Sequence, residues 1–241
     1  MAIRGTHSPP WLFEKALTLD EVASEIRLKV LLTDAPQDAL VALNEEGLST
    51  MPCDGLGSRL DPVDDLLAVT PDLAAIVHAT VGAIHPLAAQ PGYDVSHSQP
   101  RWRDRIFVSF PERTDEIGAL RLAESVVHEA MHLHLTNEEA RTPLVAAMSR
   151  TAHSPWRGTV RAVQGVLHGV FVFSCIHCLL SAISRRGSAG EAGQRHVDER
   201  LKNIERELGE VDVAALEAAL TSEGALLLRS WHLREGAEAR C

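Results

Sequence analysis

The segment AESVVHEAMHLHL carries the pattern H-E-x-x-H in His128, Glu129 and His132. Residues four apart on a helix lie one above the other on the same face, so both imidazoles can reach a single metal ion. Glu129, between them, is the candidate catalytic group. With a zinc ion bound, it would act as a general base on a metal-bound water, as in a zinc peptidase. Glu124 lies one turn before His128 on the same stripe, where it could orient an imidazole from behind. His134 points to the opposite side and is expected to be structural. The competing reading is an ordinary helix with two surface histidines. The setting favours a site, because six of the twelve histidines fall between His128 and His177.

A catalytic metal needs a third protein ligand and open positions. The extended form H-E-x-x-H-x-x-G-x-x-H is absent, since Leu135 and Glu138 stand at its glycine and histidine. A glutamate from a later helix is also missing, because Ala140 to Gly190 contains no Asp or Glu. A third histidine is therefore expected, from His153, His168 or His177. His168 is preferred: it falls in the middle of an apolar run, among Val166, Leu167, Val170 and Phe171, where a polar side chain needs a partner. His177 faces away from it on a helical wheel, as a satisfied core or interface histidine would, and His153 sits in a loop before Pro155. Cys175 and Cys178 form a C-x-x-C with no second pair, which reads as two small buried residues.

The elements that must position these groups follow from periodicity. Helices are expected over Leu19 to Leu32, Asp38 to Asn44, Asp72 to Ala83, Ala119 to Leu135 and Thr159 to Ile183, then Gln194 to Leu208 and Val211 to Leu233. The stretch STMPCDGLGSRLDP reads as loop, and Pro86 and Pro91 are expected to end regular structure. Gly92 to Phe110 holds two short β-rich runs, read as a hairpin or two edge strands. The fold class is mostly α (α+β): a helical domain with a small antiparallel sheet or hairpin beside the H-E-x-x-H helix. A single domain over 1–241 is expected, with a helical part at 1–90 as the candidate for peptide recognition, a metal-site core at 92–184 and a C-terminal helical pair at 191–235.

The chain has 241 residues, 45% of them hydrophobic, and a formal net charge of −10. Such a surplus of acid repels a phosphate backbone, so nucleic acid is not an expected partner. Uninterrupted apolar runs fall short of the roughly 18–20 residues that span a bilayer, and no membrane association is expected. The opening MAIRGTHSPPWLFEKAL lacks the layout of a signal peptide, which suggests a cytoplasmic protein with its four cysteines as thiols. Arg101, Arg103 and Arg105 could receive an acidic peptide; a solvated strand edge is the simpler reading.

The order SVVHEAMHLHL, then SPWRGTVRAVQGVLHGVFVF, resembles the HExxH-type 2-oxoglutarate-dependent peptide β-hydroxylases. The resemblance covers about Ile106 to Leu180, and SPWR with the downstream Arg161 and GVLHG is its more specific part. It implies an iron(II) site, 2-oxoglutarate and O2 as co-substrates, and hydroxylation of a side-chain β-carbon in a ribosomally made precursor peptide, with another peptide-maturation enzyme as a further partner. On a helix starting at Thr159, Arg161, Gln164, His168 and Cys175 share a stripe, which puts Arg161 two turns, about 10 Å, from His168. A guanidinium there can grip the far carboxylate of 2-oxoglutarate bidentately. Arg157 is the competing clamp, and Gln164 could hydrogen-bond a ligand or the substrate. A zinc peptidase of HExxH type and a metal-stabilised binding protein are the other two readings.

Overall fold

The computed structural model describes residues 30–187 and 189–232. Strands β1 (Leu31–Leu32), β2 (Ala83–Leu87), β3 (Ser96–His97) and β4 (Arg105–Ser109) form one sheet in the order β1-β2-β4-β3. The hairpin of β5 (Thr151–Ser154) and β6 (Thr159–Ala162) stands apart from it. The described helices are α1 (Gln37–Glu45), α2 (Asp61–Leu67), α3 (Pro71–Thr80), α4 (Glu116–Glu139), α5 (Val163–Arg186), α6 (Glu191–Gly209), α7 (Val213–Glu217) and α8 (Ser222–His232). The protein is thus mostly helical with small sheets, as its composition and periodicity imply.

The sheet separates two packed layers by the period-two alternation of its strands. Ile84, Ile106 and Val108 join the large core built with α2 to α6 and α8, whereas Leu87 and Phe107 meet Ala39, Ala42 and Leu43 of α1. β3 pairs antiparallel with β4, as expected of Gly92 to Phe110, but β4 is an inner strand because β2 runs parallel along its other side. Pro86 therefore does not end regular structure. It is accommodated in β2 because its carbonyl accepts from Met51 N (3.1 Å), while Ala88 N donates to Ser49 O (2.8 Å), so the ladder never calls on the missing N–H. In the RWRDR run Arg101, Arg103 and Asp104 are exposed, as a solvated segment is, but the run is not a strand edge: Trp102 is buried and donates to Asp38 (3.2 Å), Arg101 lies over its ring, and Arg105 opens the inner strand β4.

Other boundaries also move. The expected helix Leu19 to Leu32 lies mostly outside the described residues, and Leu31–Leu32 is β1. The segment read as loop contains a short 3-10 turn at Gly57–Arg59 and runs into α2. The last expected helix is broken into α7 and α8, because Ala219 and Thr221 turn to hydrogen-bond Ala146 and Leu144. Cys178 is disulfide-bonded, against the expectation of thiols throughout, and Cys53 is a free thiol.

α4 is the backbone of the site. Asp115 caps its first turn, accepting from Gly118 N at 3.1 Å. α5 has the length and mean hydropathy (2.1) of a membrane span, which the sequence reading overlooked. In the fold 67% of that window is buried, packed against α4, α6 and α8, as a core helix requires.

Candidate metal centre

The C-terminal half of α4 lies along the N-terminal half of α5, and this brings His128, His132 and His168 together. His132 Nδ1 and His168 Nδ1 are 3.3 Å apart, with the two rings stacked at 20°. Two nitrogens held about 2.0–2.1 Å from one tetrahedral ion stand roughly 3.4 Å from each other, so this separation suits shared ligation. His128 is edge-on to His132, ring centroids 4.8 Å apart, and its other neighbour is Phe173 at 5.6 Å. Among the described residues no three His, Cys, Asp or Glu side chains stand in ligating arrangement as they are. Two of the three imidazoles are in register, and the third must rotate to complete a site.

The electrostatics favour ligation. Burial first, then the Arg157 guanidinium, pushes the His128 imidazole down to about 4. Burial first, then its histidine neighbours and Arg161, pushes His132 down to about 3. Both rings are therefore neutral near pH 7, the state in which imidazole binds a metal.

Glu129 is 4% exposed, and both of its oxygens are engaged: Ser96 Oγ donates to Oε1 and Ser98 Oγ to Oε2, each at 2.6 Å. Its carboxylate thereby ties the segment around β3 to α4. The two serines were not singled out in the sequence; their i, i+2 spacing in the β-rich YDVSHS run, which puts them on one side of an extended segment, is the signal that was there to be read.

The arginines arrive by a different route from the one expected. Arg161 lies in β6, not on a helix, because residues 159–162 ladder onto 151–154 and α5 begins only at Val163. The helical stripe through Arg161, Gln164, His168 and Cys175 is thus wrong at its first member. The loop Pro155–Gly158 reverses the chain with Gly158 at φ +61°, and Ser154 O accepts from Arg157 N and Gly158 N. Arg157 and Arg161 both reach the cleft of about 770 Å³ that is lined by Ser96, His128, Glu129 and His132. The Arg161 guanidinium also lies over the first turn of α5, 3.8 Å from where a Cβ on Gly165 would be.

Glu139, the last residue of α4, is the acidic group that the sequence reading passed over. It lies seven residues after His132, hence on the same face, one position before the acid-free stretch begins. Its Oε2 accepts from Gln164 Nε2 (2.7 Å) and meets His168 Nε2 (2.9 Å). Burial would raise its carboxyl, but the hydrogen bonds from His168 and Gln164 outweigh that and hold it below its ordinary value. Gln164 therefore reaches His168 through Glu139 and makes no hydrogen bond to an imidazole itself.

The remaining candidates are placed elsewhere. Glu124 does not orient an imidazole by a hydrogen bond; it binds Arg200 (2.8 Å) and lies 3.5 Å from His196, both on α6. His153 is an exposed residue of β5 rather than of a loop, paired with Val160. His177 meets Glu205 of α6 at 3.1 Å, and His134 is turned toward Phe171. No model of a known protein family matches the chain, and no curated protein matches it.

Proposed function

We propose that this chain is an iron(II)- and 2-oxoglutarate-dependent oxygenase that hydroxylates a side-chain β-carbon in a ribosomally synthesised precursor peptide. One observation carries the reading. Two arginines, Arg157 and Arg161, line one open cleft with His128 and His132, and neither has an ion-pair partner among the described residues. Unpaired guanidiniums beside a set of neutral imidazoles suit an anionic, metal-chelating co-substrate.

The donor set of three imidazoles suits iron, zinc and neighbouring divalent ions. His128, His132 and His168 would hold the ion, with Glu139 behind His168. Bound iron(II) with 2-oxoglutarate and O2 supplies the oxidising chemistry, in which one oxygen atom enters succinate with loss of CO2 and the other enters a C–H bond. Arg157 and Arg161 bind the far carboxylate of 2-oxoglutarate, and the fork of either guanidinium fixes its direction. Glu129, pinned by Ser96 and Ser98, keeps the strand wall at a fixed distance from the histidines.

A zinc peptidase is the second reading, and the position of Glu129 beside His128, with 3.9 Å between Oε1 and Nε2, favours it. The same carboxylate is buried and accepts one serine hydroxyl on each oxygen, contacts that fit a structural tie between β3 and α4 as well as they fit a base. The deciding experiment uses protein reconstituted anaerobically with iron(II), then given 2-oxoglutarate and O2. Succinate formation, and one added oxygen atom in a short peptide encoded beside this gene, is the expected result. Retention of zinc with cleavage of that peptide and no succinate would replace the oxygenase by the peptidase.

A further inference from the structure

We infer that Glu139 is a positioning residue that holds His168 in the Nε2–H tautomer, so that its Nδ1 lone pair faces His132 and the metal; the inference rests on the metal reading of the same site. A neutral imidazole carries one proton and one lone pair, and the partner of one nitrogen decides the role of the other. Glu139 Oε2 lies 2.9 Å from His168 Nε2, and a carboxylate can only accept, so the proton belongs on Nε2. That leaves Nδ1, 3.3 Å from His132 Nδ1, as the coordinating atom.

The placement of Glu139 is otherwise unfavourable. It is an acidic residue in the last turn of α4, which has no basic residue there, so its own helix dipole opposes it. Its side chain is only 10% exposed. What offsets this lies across the interface: two side chains of α5 converge on one oxygen, Gln164 Nε2 donating at 2.7 Å and His168 Nε2 at 2.9 Å. Gln164 thus fixes the carboxylate, and the carboxylate fixes the histidine. Such outer partners typically change metal affinity by about 10- to 100-fold when removed.

The test uses Co(II) as a spectroscopic probe, titrated into the full-length metal-free protein, together with long-range 1H–15N spectra that assign the His168 tautomer before any metal is added. Expected are an Nε2–H tautomer in the unsubstituted protein, mixed tautomers in Glu139→Ala, Co(II) binding weakened about 10- to 100-fold in Glu139→Ala, and a smaller loss in the near-isosteric Glu139→Gln. Gln164→Ala should weaken binding less than Glu139→Ala and add nothing to it in the double variant, since the two act through one oxygen. A proton on Nδ1 of His168 in the unsubstituted protein, or unchanged Co(II) affinity in Glu139→Ala while His168→Ala abolishes it, overturns the inference. If His168→Ala itself binds Co(II) as the unsubstituted protein does, the metal assignment fails instead, and the tautomer of the metal-free protein still decides the role of Glu139.

Discussion

Trp156 lies against Gly169 so closely that a Cβ added to the glycine would stand 2.5 Å from Cζ3 of the indole. The same ring stacks on Phe173, with centroids 5.0 Å apart and planes at 9°. The next residue in the chain is Arg157, so this contact fixes where the β5–β6 hairpin holds its guanidiniums. Phe173 in turn meets His128, which couples the position of the hairpin to the histidine group.

Gly169→Ala should therefore act at a distance. In a helix interior the change gains about 1 kcal/mol of propensity, but here it drives Trp156 off its seat, at a typical overpacking cost of about 1–3 kcal/mol. The expected outcome is a Tm unchanged or lowered by a few degrees, with affinity for 2-oxoglutarate falling about tenfold or more while Co(II) still binds. Paired titrations of metal and 2-oxoglutarate check it.

Arg161→Ala and Arg157→Ala separate the two clamps. Both arginines are exposed, so the loss is that of a charged hydrogen bond, about 1.5–3 kcal/mol, rather than of a buried ion pair. At about 1.4 kcal/mol per tenfold step, the variant lacking the principal clamp should raise the KM for 2-oxoglutarate roughly 10- to 100-fold with metal binding intact. The corresponding lysine variant should recover part of the loss, because it restores the charge without the fork. Equal and negligible effects from both alanine variants would remove the co-substrate from this cleft.

Glu129→Gln distinguishes the two chemistries. A glutamine side chain can still accept from one of Ser96 and Ser98 and donate to the other, so the strand stays tied to α4. In the oxygenase, 2-oxoglutarate turnover should fall by less than about tenfold; in a peptidase relying on a general base, activity should fall by about 10²–10⁴-fold. Succinate and peptide-cleavage assays on the same preparation read the difference.

Acid should destabilise the fold through buried histidines, those outside the metal group as well as His128 and His132. Burial lowers the pKa of His78, His85 and His134 in the folded state, and the unfolded chain keeps them near 6.5. Below that value the unfolded state binds more protons, so stability is full above about pH 6.5 and is lost as pH falls beneath it. Urea midpoints measured between pH 8 and pH 5 should decline on the acid side. His134→Gln should flatten part of that decline.

Metal should bridge α4 and α5. An ion that binds only the folded state, at one hundred times its Kd, adds about 2.7 kcal/mol. Removing it with a chelator should lower Tm, and His132→Ala or His168→Ala should abolish the difference, whereas His134→Ala should leave it. Thermal scans with and without Co(II) test this.

The one-dimensional signals in this chain are those that a single helix carries by itself. His128 and His132 four apart, the long apolar repeat of α5 and the absence of acid after Glu139 follow from sequence spacing alone, and so does a mostly helical protein with a short antiparallel pair near Phe110. His168 too was reachable, as a polar residue in an apolar run. What spacing does not hold is which surfaces meet. β6 is an exposed strand without hydrophobic alternation, so the apolar pattern of α5 seemed to extend back through it, and Arg161 was placed on a helix that begins two residues after it. β2 is buried throughout and interrupted by Pro86, which removes both its period and its propensity signal. Glu139 belongs to the site because the end of one helix faces the start of another, and Ser96 and Ser98 because an edge strand lies over Glu129. Those are contacts between elements far apart in the chain, and only the packing of the helices against each other and the sheet decides them.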